Sequence, residues 1–338
     1  MTRGIRTEHD VAPAPPGEDA APASSSVAVA AVLLSRSFWA RWAVIPILIL
    51  LLLGLAAATP DFFTTSNLSA ILIQSTIAVL VAIGQAFVMI AGGIDLSVGA
   101  TIAFVSVIIG MTSGYGWPAA LVLLCGLLAG CGVGLVNGLL VTRVRLAPFI
   151  ITLATLSILS GLSLVLTNAN PVPILNLAVL WPGSGTLGPL PAPVLIVAVI
   201  VLLTTAILGW LPFGTHVIAI GTSEEAARRC GIATQRVKLL TYIISGTLAG
   251  VGGIILAGRL GAAEPAEGTS YLLTSIAAAV IGGVSLTGGV GTVPGPVLGA
   301  LLLGTLLDGL NLLNVQANYQ PIAEGIVVIL SVFLSRFQ

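Results

Sequence analysis

Ten apolar runs, nearly free of charge, constrain this chain more than any other feature. They cover about 42–59, 68–91, 98–113, 119–141, 149–167, 191–211, 239–258, 270–283, 297–313 and 320–335. A helix needs roughly 20 apolar residues to cross the hydrocarbon of a bilayer, so these runs predict membrane spans; they lack the alternation of a β-barrel. Only 7% of residues are charged, where a soluble domain carries about 25%. That leaves too little polar surface for a water-soluble body of 338 residues. The expected fold is all-α: a polytopic membrane protein of about ten transmembrane helices with Gly-broken segments, both termini cytoplasmic.

The basic residues give this expectation a direction. With a cytoplasmic N-terminus and ten crossings, 11 of the 12 Lys and Arg residues fall on the cytoplasmic side, and only Arg259 falls outside. Such an excess is the usual mark of cytoplasmic loops. Residues 1–40 are expected to form a disordered cytoplasmic tail, because they are Ala-, Pro- and Ser-rich and no apolar core follows the early arginines closely. Residues 41–338 would form the membrane domain.

The densest charge lies at 221–238, where six of the 24 charged residues occupy 18 positions. Glu224 and Glu225 precede Arg228 and Arg229 by four residues, so both pairs can meet on one helical turn. Ser223 is a good N-cap, with the Thr222–Glu225 capping box as an alternative. Gly231 stands where a left-handed residue would end the helix. The stretch reads as a short capped helix in water, facing a soluble partner or simply solvated.

Two glycine pairs interrupt the apolar pattern. Gly92-Gly93-Ile94-Asp95-Leu96-Ser97 is similar to Gly282-Gly283-Val284-Ser285-Leu286-Thr287 at an offset of 190. Paired Gly-broken segments in two parts of a transporter point to discontinuous helices along a substrate path; a chance likeness of Gly-rich turns is the other reading. Asp95 is the only acid between Asp61 and Glu224. It is either a functional group at membrane depth or, slightly favoured, an N-cap that it or Ser97 supplies to the helix starting near 98. Asp308 and Glu324 fall near outer span ends, where they could snorkel, pair with Arg259 or meet an external partner.

No catalytic set is legible. There is no G-x-x-x-x-G-K-[ST] loop, H-E-x-x-H or G-x-S-x-G. His9 and His216 are isolated, and Cys125, Cys131 and Cys230 have no metal or disulfide spacing. Zero net charge argues against a nucleic-acid partner. No cofactor is expected, and no enzyme activity.

Three segments resemble the membrane permease subunits of bacterial ATP-binding-cassette sugar importers of the ribose, xylose and galactose type. They are VMIAGGIDLSVGA at 88–100, GTSEEAARRCGI from 221, and IAAAVIGGVSLTGGVGTVPGPVLGALLLGTLLDGLNLLNV at 276–315. Ser223 and Cys230 replace that family's usual Asn and Ser. The resemblance implies a homodimer in the bacterial plasma membrane that passes a monosaccharide. Cytoplasmic ATPase subunits would bind below it, and an extracytoplasmic sugar-binding protein would deliver from outside. Within the coupling segment 212–238, Ser223, Glu224, Glu225, Ala226, Ala227, Arg228, Arg229 and Gly231 would dock the ATPase. Gly92, Gly93, Asp95, Ser97, Gly282, Gly283 and Asn311 are candidates for the path or its gate; Gln74, Gln85, Thr101 and Asn137 are further candidates for sugar hydroxyls. Rival readings are a permease for branched-chain amino acids or another small solute, and a self-sufficient secondary carrier.

Overall fold

The computed structural model describes residues 44–335; the expected tail at 1–40 lies outside the described residues. Among the described residues thirteen α-helices dominate: α1 (Val44–Ala58), α2 (Thr65–Ile90), α3 (Val98–Gly114), α4 (Ala119–Thr142), α5 (Pro148–Thr167), α6 (Leu177–Ser184), α7 (Ala192–Gly209), α8 (Pro212–Thr222), α9 (Glu224–Arg229), α10 (Thr234–Leu260), α11 (Ser270–Ile281), α12 (Pro294–Leu312) and α13 (Gln320–Ser335). Each of the ten apolar runs is one of these helices. Six are long and apolar enough to cross a membrane: α2, α4, α5, α7, α10 and α12. Helices α1, α3 and α11 are apolar but shorter. A lipid interior offers no water to satisfy backbone groups, which is why the apolar runs close their hydrogen bonds within helices.

The ends follow local chemistry. Thr64 caps α2 by accepting from the Asn67 amide at 3.3 Å. Prolines open α5, α8 and α12, where a missing N–H costs nothing. Asn168 and Gly261, both left-handed, end α5 and α10.

Helix α2 is the axis of the fold. From Ser75 to Ile90 every residue is buried, and the main apolar core gathers around it from α7, α10, α11 and α12. On another side, α10 packs against α4 through glycines. Gly130, Gly134 and Gly138 on α4 meet Gly246, Gly250, Tyr242 and Leu239 on α10, and a Cβ on Gly130 would come within 2.6 Å of the Gly246 carbonyl. Small residues spaced by four let two backbones approach, which is how helices gain contact where lipid offers no hydrophobic drive. The outer faces of α1, α4, α5 and α7 expose large apolar side chains, among them Leu50, Leu128, Ile158 and Leu202, as suits contact with lipid tails.

The uncharged, Pro-rich stretch 168–190 is folded. Strand β1 (Val172–Pro173) pairs antiparallel with β4 (Ala262–Ala263), and β2 (Thr186–Leu187) pairs with β3 (Leu190–Pro191). Between them α6 lies against α10, with Gly183 close to the Ile255 and Gly258 backbone.

Candidate functional site

The two glycine breaks meet each other and the charged elbow α8–α9. At the end of α2, Gly92 has φ +81°, its N–H bonds to Met89 O (2.8 Å), and Gly93 N–H bonds to Val88 O (2.9 Å). At the end of α11, Gly283 has φ +82°, its N–H bonds to Val280 O (2.9 Å), and Val284 N–H bonds to Ala279 O (3.0 Å). Both helices therefore stop on the same left-handed cap. The structural match pairs Gly92 with Gly283, an offset of 191 by subtraction, which corrects the sequence register of 190. Gly282 is the first turn residue after α11 and is not left-handed; a Cβ there would collide with the Gly295 and Pro296 backbone where α12 begins.

The loop after the second break returns to the first. Gly289 N–H donates to Ile90 O at 2.9 Å. A Cβ on Gly288 would lie 3.1 Å from the Cα atoms of both Gly92 and Gly221. Gly221 itself has no room for a side chain between Ile90 O and Gly289 N. Three separate backbones thus touch at one point, the last turn of α8 among them.

From that point α9 projects outward. Ser223 caps it by accepting from the Ala226 amide at 3.2 Å, and Gly231, at φ +84°, follows its end. Ala227 is buried in the main core, whereas Ala226, Arg228 and Arg229 are exposed. Glu225 pairs with Arg229, as the spacing predicts. Glu224 does not take Arg228; it turns to Lys238 on α10 at 2.5 Å. That hydrogen bond holds the Glu224 carboxyl below the ordinary carboxylate range, against the opposing effect of partial burial. These are the two ion pairs among the described residues. A groove of about 920 Å³ lies beside them, and Arg145, Arg228 and Arg236 line it together with both glutamates.

Asp95 differs from expectation. It is 2% exposed, and Ser97 occupies the N-cap of α3 with no side-chain capping bond. Asp95 Oδ1 accepts from the Ser97 amide (2.9 Å) and hydroxyl (2.6 Å), and Oδ2 accepts from Ser245 Oγ on α10 (2.9 Å). Asn137 on α4 donates to Ser97 Oγ at 2.8 Å and accepts from Thr155 on α5 at 2.6 Å. Thr101 donates to Ser97 O. A carboxylate that accepts three hydrogen bonds is satisfied without a cation. The first break is therefore tied to α4, α5 and α10 by one buried polar chain.

Other candidates lie elsewhere. Asn311, at the far end of α12, accepts from Gln320 at 2.7 Å and does not reach the breaks. Gln85 is fully buried in α2, and neither of its amide atoms has a protein partner. Asp308 accepts from Asn67 (3.0 Å), Glu324 from Thr274 (3.4 Å), and Arg259 donates to Tyr271 Oη (3.2 Å). The suggested ion pairs with Arg259 do not form. Instead Arg259, Tyr271, Thr274, Glu324 and Gln74 share a cavity of about 580 Å³. Sequence reading singled out Gln74 and Glu324 but not their convergence, because the wall draws on separated segments.

A bundle with a buried central helix, six apolar helices of spanning length and lipid-suited outer faces defines a multi-pass helical membrane protein. Residues 67–332 match the family described as "Branched-chain amino acid transport system / permease component", and the chain belongs to that permease family. The chain is similar to the ribose import permease RbsC of Bacillus subtilis, 40% identical over 86% of this chain and 90% of that one. It is also similar to the D-allose transport system permease AlsC of Escherichia coli, 35% identical over 88% and 92%. The L-arabinose permease AraH of Azospirillum brasilense is 32% identical over 88% of each. The resemblance to sugar-importer permeases is borne out by these relatives. No solved structure matches the chain. The family is described as a transport component.

Proposed function

We propose that this protein is the permease subunit of an ATP-binding-cassette importer that carries a monosaccharide across the bacterial plasma membrane. The observation that carries the reading is the elbow: α9 presents exposed charge outward while the adjoining Gly221 lies against both glycine breaks. A soluble ATPase docked on α9 would thereby act on the two points where the helices are interrupted. The chain has no phosphate-binding loop of its own, so the energy must come from that partner. The relatives' names favour a sugar over an amino acid. The distribution of basic residues supports cytoplasmic termini and a cytoplasmic α9. A second copy of the permease and an extracytoplasmic sugar-binding protein complete the assembly.

Three measurements test this reading. Reversing Glu224, Glu225, Arg228 and Arg229 together should abolish co-purification of the ATPase; retained binding would remove α9 from the docking role. After replacement of Cys125, Cys131 and Cys230, single cysteines at 223 and 266 should label from the inside and the outside respectively. Labelling from one side would break the topology. Uptake that proceeds without the ATPase would favour a self-sufficient carrier.

A further inference from the structure

The cavity at the other end of α10 has a composition that the docking role does not explain. Lys238 and Arg259 stand on one helix, about 31 Å apart at 1.5 Å per residue, so the cavity lies roughly a hydrocarbon thickness from the elbow. Its volume of about 580 Å³ falls within the usual range for small-molecule sites. The helix bearing Gln74 and Ser75 supplies one wall, α11 supplies Tyr271 and Thr274, α13 supplies Gln320 and Glu324, and the end of α10 supplies Arg259. Glu267 adds a second carboxylate, and the remaining polar groups are uncharged donors and acceptors. Arg259 is held by Tyr271 rather than by a carboxylate. The Ser75 hydroxyl, buried in the wall, has no partner among protein atoms, and only a glycine at 304 leaves it space.

A buried polar group without a partner is costly unless a ligand supplies one, and the Ser75 hydroxyl is such a group. Here hydroxyl and amide groups from α2, α11 and α13 converge on one space with a single carboxylate–threonine contact and a single guanidinium–phenol contact. That pattern matches a neutral polyol, whose hydroxyls both donate and accept around the ring.

We propose that this cavity is the entry waypoint for the sugar, with Glu324 and Gln74 accepting from and donating to its hydroxyls and Tyr271 holding Arg259 in position. The inference rests on the sugar-importer reading above. The full permease is reconstituted with its ATPase and binding-protein partners, and uptake of D-ribose, D-allose and L-arabinose is measured beside ATP hydrolysis. Glu324→Gln and Gln74→Leu should lower the sugar moved per ATP about ten-fold or more, the loss expected for a hydrogen bond to a charged or fully engaged group. ATPase stimulation by the loaded binding protein should stay, because α9 is untouched. In the same cysteine-free background, Thr274→Cys should react with an impermeant thiol reagent and be protected by the transported sugar. Unchanged coupling in both variants together with no protection would overturn the waypoint while leaving the importer reading intact. Protection by leucine and by no sugar would also overturn it, in favour of an amino acid path. Failure of the unmodified assembly to import any of the three sugars would instead sink the importer reading, and the waypoint with it.

Discussion

The amide of Gly289 donates to the carbonyl of Ile90 across 2.9 Å. This one bond joins the loop after the second break to the last helical residue before the first. Neither residue has a side chain that could make the contact from a distance, so the two backbones must touch. The close packing of Gly221 on the same bond makes it sensitive to anything that enlarges the elbow. Gly221→Val is expected to prevent correct assembly of the breaks, with overpacking of at least 1–3 kcal/mol. A fall in the thermal midpoint of the purified protein checks it, set against Gly54→Ala, where a Cβ meets nothing within 4 Å.

The left-handed caps make a second expectation. A Cβ on Gly92 meets no atom within 4 Å, but its φ of +81° disfavours any L side chain. Gly92→Ala should cost about 1–2 kcal/mol through the backbone alone, and Gly92→Asn less, since Asn tolerates this region. Gly282→Ala should cost more than either, because it collides with the start of α12. Equal losses at 92 and 282 would restore the sequence register in place of the structural one. Thermal or chemical unfolding in detergent gives the ranking.

At Asp95 the expected outcome depends on which atom is lost. Asp95→Asn keeps an oxygen for the Ser97 amide, and the Ser245 hydroxyl can turn from donor to acceptor towards the new amide nitrogen. The change should stay within about 1 kcal/mol. Asp95→Leu strands the Ser97 and Ser245 donors in a dry site and should cost roughly 1–3 kcal/mol or more. A stability scan of the two variants distinguishes a satisfied hub from a simple cap, for which both would be mild.

The Glu224–Lys238 pair predicts a pH dependence with a defined sign. The folded carboxyl titrates below its ordinary value of 4.5. Its stabilisation is therefore fully present above that value and is lost as pH falls through the lower folded value. Both side chains are partly exposed, with Glu224 at 45%, so the contribution at neutral pH should be no more than about 1 kcal/mol. Glu224→Gln should show that deficit at pH 7, and the deficit should vanish in strong acid. A deficit that persists at low pH would assign the effect to packing instead.

The helices were legible because depletion of charge over twenty residues leaves a chain few alternatives. Boundaries were close, except that α10 begins at Thr234, five residues before the apolar run, since its first turn carries the polar and charged Gln235, Arg236 and Lys238. The Ser223 cap and the Gly231 stop were readable because they are local. Partner choice was not: Glu224 prefers a lysine fourteen residues away to the arginine one turn on. The repeat register slipped because matching Gly-Gly letters ignores which glycine is left-handed. Residues 168–190 carried no periodicity, so α6 and the β1–β4 pairing were invisible. The polar cavity escaped for a deeper reason: Gln74, Arg259, Thr274 and Glu324 become neighbours only when α2, α10, α11 and α13 converge.

The bond from Glu224 to Lys238 ties the short charged helix to the root of a rod that is about 40 Å long at 1.5 Å per residue. A shift of the short helix would reach that root through a bond of about 1 kcal/mol. A tilt of about 5° at that root carries the far end, and Arg259 with it, sideways by roughly 3 Å, about two residues' rise along a helix. A displacement of that size is comparable to a hydrogen bond's length. Such a tilt would change which groups face the distant polar chamber while leaving every turn of α10 wound.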